Sequence, residues 1–155
     1  MAKSDMFLSI ETKRAGKVKG GSGDAGFEGQ IEVVAWSWGM KSPSALGTAS
    51  AMGKRSFSEL RITKGVDPAT TALMGILATN DGIKKAVLSV RTAAGVPHPF
   101  FTITIERGRI SSHEVGSDDG LNLTETVSMA FEKVTVDYNG PKAGGMSFSD
   151  EVLAP

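Results

Sequence analysis

Along most of this chain the apolar side chains recur at every second position, the spacing of residues that share one face of a β-strand. Met6, Leu8 and Ile10 alternate with Phe7, Ser9 and Glu11. Leu60 and Ile62 are expected to point inward from a strand over Phe57–Lys64. Ala86, Leu88 and Val90 alternate with Lys85, Val87 and Ser89, and Phe101, Ile103 and Ile105 with Thr102, Thr104 and Glu106. Arg107-Gly108 reads as an interruption before a short strand at Ile110. This rhythm restricts the chain to a mainly β fold.

Two stretches carry more detail. Between Gln30 and Gly39, Val34, Trp36 and Trp38 share one face, and Val33, Ala35 and Ser37 the other. The bulky face is expected in the core, and the small, mixed face along a cavity or an interface. From Leu121 to Tyr138 the apolar phase slips by one residue: Val127, Met129 and Phe131 hold odd positions, Val134, Val136 and Tyr138 even ones. Such a slip predicts a β-bulge near Glu132-Lys133, a device that bends strands at barrel corners.

One helix interrupts the strands. Asp67-Pro68 is a start signal, with Asp capping free amides and Pro in the first turn. Ala69, Ala72, Leu73, Ile76 and Leu77 form a stripe at helical spacing. Asn80-Asp81-Gly82 ends the helix, with Gly expected in the left-handed conformation. Lys13, Arg14, Lys17 and Lys19 sit in a Gly- and Lys-rich loop running through Gly26, and Gly39–Ser56 is a second long loop. Gly95–Pro99 and Ser117–Gly120 read as turns, and the segment after Gly140 as a polar tail. Many short strands, one side helix and a bulged long strand predict a closed or nearly closed β-barrel. With 155 residues and no internal repeat, residues 1–155 read as one domain.

Composition excludes several chemistries. The chain has no cysteine, so it has no disulfide, thiolate metal site or cysteine nucleophile. Seventeen basic residues balance seventeen acidic ones, which gives no global pull towards nucleic acid or anionic membrane. Neutrality also permits self-association. No segment approaches the roughly 20 apolar residues of a membrane span. The first residues lack the apolar run of a cleaved signal, so synthesis in the cytoplasm and export without such a signal are expected.

The motifs of common enzymes are absent or incomplete. Gly47–Ser56 resembles a phosphate loop, but five residues separate its glycines where four are needed, and Arg55 stands where Ser or Thr would hold magnesium. His98 and His113, with no spacing that links them, read as surface residues rather than metal ligands. No Gly-x-Ser-x-Gly elbow occurs. Asp118-Asp119 lacks the remainder of an EF-hand, and Asn122-Leu-Thr124 is a sequon without a secretory signal. The basic cluster at Lys13–Lys19 lacks the interleaved aromatics of nucleic-acid binding. Trp36 and Trp38 at period two read as core rather than as a ligand cage.

Three stretches together resemble the Hcp family, the haemolysin-coregulated tube proteins of bacterial type VI secretion. They are Asp5–Ile10; Gly29–Gly39 with its Trp36-Ser37-Trp38-Gly39; and Leu123–Tyr138. Thr63–Asp67 and the helix sit where the family has its single helix, and Ile110–Ser112 also fits. The resemblance spans nearly the whole chain, whereas Phe57–Leu60, Pro97–Pro99 and the Gly39–Ser56 loop depart from it. It implies a β-barrel of two antiparallel sheets with one flanking α-helix, six copies to a ring, and rings stacked into a hollow tube. It implies too a contractile sheath that propels tube and spike, and small effector proteins that ride in the lumen. It implies no catalytic residue, metal or cofactor. On this resemblance Ser37 is expected to face the lumen and touch effectors. The loop bearing Ser42, Ser44, Leu46, Thr48 and Met52 is expected to contact neighbouring subunits or the next ring. A phage-tail-tube-like protein and, more distantly, a monomeric ligand-binding barrel are the alternatives.

Overall fold

The structure, a computed structural model, describes residues 5–42, 56–92, 96–118, 120–140 and 144–151. Along the chain these form β1 (Met6–Thr12), β2 (Ile31–Glu32), β3 (Ala35–Ser37), β4 (Met40–Lys41), β5 (Ser56–Phe57), β6 (Leu60–Gly65), α1 (Ala69–Ala78), β7 (Ile83–Val90), β8 (Phe101–Ser117), β9 (Leu123–Ala130), β10 (Lys133–Gly140) and β11 (Gly144–Glu151). All strand pairs are antiparallel. The first sheet runs β2-β1-β7-β8-β10-β11. The second runs β8-β9-β6-β3.

Strand β8 belongs to both sheets. Its first part pairs with β7 and β10, its second with β9. Arg107-Gly108 therefore bends one 17-residue strand rather than ending it, and Arg107 takes a positive φ of 53° at the bend. The phase slip lies opposite, at Phe131-Glu132, where β9 gives way to β10 along the same edge of β8. The expected bulge is thus a break between two strands at the corner where the sheets part.

Among the described residues neither sheet closes on itself, so the barrel wall is not sealed there by strand pairing. It is completed where the chain crosses between β2 and β3. The Val33 N–H donates to Met6 O of β1 (3.0 Å), and the Val34 N–H to Thr63 O of β6 (2.8 Å). This crossing costs one residue of alternation. Val33 is buried and Val34 is 67% exposed, the reverse of the expected placement, whereas Trp36 and Trp38 pack against the core.

The interior is filled by Leu8, Ile10, Ile31, Leu60, Ile62, Leu88, Ile103 and Ile105 among others, each 1% exposed or less. Burying a side chain of this size contributes about 1.5–3 kcal/mol. Helix α1 buries Ala69, Thr70, Leu73 and Ile76, so the stripe is rotated: Thr70 lies inside, and Ala72 and Leu77 lie outside. Asn80, not Gly82, takes the left-handed turn after the helix (φ 54°). The carboxylate of Asp81 accepts the Arg14 and Ala15 N–H groups at 3.0 Å each. The segment after Gly140 is no simple tail, because β11 pairs with β10 along its length.

Residues 13–30 fold back over β1 as a strap. Phe27 in the strap stacks on Phe7, ring centroids 4.3 Å apart, so Phe7 is buried outside the barrel core. Lys13, Arg14, Lys17 and Lys19 remain exposed. On the same outer surface, register places Glu11, Lys85, Glu106, Lys133 and Glu151 side by side across five strands. Direct cross-strand neighbours share a face, so this row alternates in charge across the first sheet.

Candidate functional site

Ser37 is exposed at the end of β3. Its orientation follows from its half-buried neighbours. Trp36 stacks on Phe101 (5.9 Å), and Trp38 packs with Phe57 (6.0 Å) and Phe131 (6.4 Å). With both indoles held against the core, the residue between them must point outward. Its direct neighbour across the second sheet is Arg61, the row continues through the buried Ser128 to Ser112, and the next row holds Ala35, Thr63, Thr126 and Glu114. The outer face is therefore small and hydroxyl-bearing, with a guanidinium and a carboxylate at its charged points. Such a face suits broad polar contact.

The expected contact loop is anchored by a short hairpin: β4 pairs with β5, and the Gly39 N–H donates to Ser58 Oγ at 2.7 Å. Ser42 follows β4 and is exposed. Ser44, Leu46, Thr48 and Met52 lie outside the described residues. A depression of about 430 Å³ at the hairpin base is lined by Met40, Lys41, Ser56 and Phe57 with Gly39 and Ser58.

The structure also contains a buried polar cluster that the sequence reading missed. Lys64 on β6 and Glu125 on β9 have side chains 0% exposed and form an ion pair. Glu125 Oε1 also accepts Thr70 Oγ1–H of α1 at 2.7 Å, and Glu125 Oε2 lies 2.7 Å from His113 Nε2 of β8. Lys64 Nζ donates in addition to Asp67 Oδ1 at 2.8 Å, which accepts the Ala69 N–H at the helix start. Burial pushes the Glu125 carboxyl up, but the donors Lys64, Thr70 and His113 outweigh it and hold it below the usual carboxylate range. His113, expected at the surface, is buried because it stands on the inward row beside Val127; His98 is exposed. Parity was the available signal, since Lys64 follows Ile62 by two residues and Glu125 precedes Val127 by two. Among the described residues, no group of three or more His, Asp or Glu side chains is placed to share a metal ion.

Residues 7–138 match the family described as type VI secretion system effector, Hcp. Protein hcp1 of Pseudomonas aeruginosa is 35% identical over 145 residues, 91% of this chain and 86% of that protein. The crystal structure of a type VI secretion system effector from Yersinia pestis superposes with a TM-score of 0.78 at 24% identity, covering 96% of this chain and all of that one (100%). Hcp1 of the E. coli EAEC 042 pathovar gives 0.81 at 24% identity over 94% of this chain and 97% of its own. These two likenesses show the shared fold: mainly β, with two antiparallel sheets and one helix. On the match over residues 7–138 and the 35% identity to protein hcp1, the chain belongs to the Hcp family of type VI secretion.

Proposed function

We propose that this chain is a structural subunit of the type VI inner tube. Six copies close into a ring, and rings stack into a hollow tube that carries small effector proteins in its lumen. The tube travels with a spike inside a contractile sheath. The protein is made in the cytoplasm, leaves through the type VI apparatus, and acts without a cofactor or a catalytic residue. The observation that carries this reading is the 35% identity to protein hcp1 of Pseudomonas aeruginosa over nearly the whole chain. The site supports it: the Ser37 face is a broad, small-residue polar surface of the kind a lumen wall requires. The described barrel interior is filled by side chains of the chain itself, which favours the tube reading over a monomeric ligand-binding barrel.

Negative-stain images of the purified protein test the reading. End-on rings with a central opening are expected, and particles of single-chain size at high concentration would reject it. The two contact assignments are tested separately. Ser37→Gln is expected to keep the ring and weaken retention of a co-expressed effector; unchanged co-purification rejects the lumen assignment. Deleting residues 42–52 is expected to spare the barrel and shorten stacked tubes, and tubes of normal length reject the stacking assignment.

A further inference from the structure

Helix α1 is fastened to the second sheet by one buried carboxylate. Glu125 touches β6 through Lys64, α1 through Thr70 and β8 through His113. The link into the helix is reciprocal, because the Asp67 N–H donates to Thr70 Oγ1 (3.0 Å) while Thr70 donates onward to Glu125. The titratable groups facing Glu125 are Lys64 from β6, Asp67 from the β6–α1 link and His113 from β8; α1 itself carries no charged residue. Beyond this cluster the helix is held by Ala69, Leu73 and Ile76, a small apolar contact for a ten-residue helix. Elements with few buried contacts open at lower cost than the whole fold.

We propose that the Lys64–Glu125 cluster is an acid-releasable latch on α1: protonating Glu125 frees the helix while the two sheets stay folded. The chemistry is direct. A neutral Glu125 no longer offsets the buried Lys64 ammonium, whose remaining carboxylate partner, Asp67, is itself partly exposed. A buried charge left with an incomplete set of partners is costly, and displacing α1 returns the ammonium to water. The lowered titration of Glu125 places release on the acid side of the usual carboxylate range. This device does not depend on the tube reading, since every group in it belongs to one chain.

The chain has no cysteine, so one introduced thiol reports one location. Leu73→Cys places a thiol on the buried face of α1, and Leu88→Cys places one in the first sheet; both parent residues are 0% exposed. Reaction with an aromatic disulfide reagent is followed from about pH 7 down to about pH 3. Measured against the same thiol in the urea-unfolded chain at each pH, which removes the loss of thiolate in acid, the α1 thiol is expected to react at least about tenfold faster at the acid end, with the sheet thiol still protected. Thr70→Val removes one donor to Glu125 and is expected to move the opening to higher pH. Lys64→Met combined with Glu125→Leu replaces the pair with apolar groups and is expected to keep the α1 thiol protected in acid. Exposure of both thiols together, an α1 thiol protected throughout, or an opening pH unchanged in both variants would overturn the proposal.

Discussion

The guanidinium of Arg91 lies 4.9 Å from the ring centroid of Phe7. It also lies 5.7 Å from the ring of Phe27 and pairs with Asp5 (3.1 Å) and Asp24 (2.6 Å). One side chain thus joins the end of β7, the start of β1 and the tip of the strap. Arg91→Met should free the strap, because it removes both ion pairs and the cation over the stacked rings. Limited proteolysis is expected to cut within residues 13–30 of the variant before the barrel. Arg107→Met, at an exposed pair, should leave the strap protected. Equal cutting of both variants would show that Arg91 is not the fastening.

Glu125→Gln should destabilise the fold by about 3 kcal/mol, the typical result of removing one partner from a buried pair. Urea denaturation at neutral pH checks this. A loss no larger than that of an exposed carboxylate would mean that the cluster contributes little.

The same carboxylate sets an acid limb. Its folded pKa is depressed, so its contribution is fully present above the unfolded value of about 4.3. The contribution is lost as pH falls through the lower folded value. Stability measured against pH should therefore fall on the acid side of about pH 4, and Glu125→Gln should flatten that fall. A variant with an unchanged acid limb would place its origin in other groups.

Gly108 sits at the β8 bend, where an added Cβ would meet Ala130 O at 2.5 Å. Gly108→Ala should cost about 2 kcal/mol by forcing the backbones apart. Gly116→Ala, with nothing within 4 Å of its Cβ, is the control. Thermal denaturation of the pair decides; equal midpoints would mean that the bend tolerates a side chain.

Lys85 stands between Glu11 and Glu106 in the alternating row. Lys85→Glu places three like charges side by side and should cost about 1 kcal/mol. The loss should shrink in high salt, where exposed charges are screened. A loss indifferent to salt would point to packing instead.

Much of this architecture was legible in the sequence because alternation reports one buried face. Leu60, Ile62, Ile103 and Ile105 lie inward as period two predicts, and the Val127-to-Val134 slip marks a real corner. The failures came where tertiary crossings override local pattern. Val34 turns outward because its amide serves β6 while that of Val33 serves β1. Thr70 displaced Ala72 from the helix interior because Glu125, fifty-five residues on, needed a donor. The pairing of β11 left little signal because its alternation is confined to two apolar residues, Met146 and Phe148, between a glycine pair and an acidic end. At the site, Ser37 is exposed between two half-buried tryptophans, whereas Val33, at the same parity, is buried. Lys64 and Glu125 escape a reading by period two because that rhythm is traced through apolar side chains and carries no mark for a charged one at inward parity.

A ring of six copies of this chain would be read from the mass of the purified protein in solution. Light scattering on a sizing column should give about six times the 16.2 kDa chain mass, as closed cyclic assembly requires. A monodisperse species at the mass of one chain, at micromolar concentration, would contradict it.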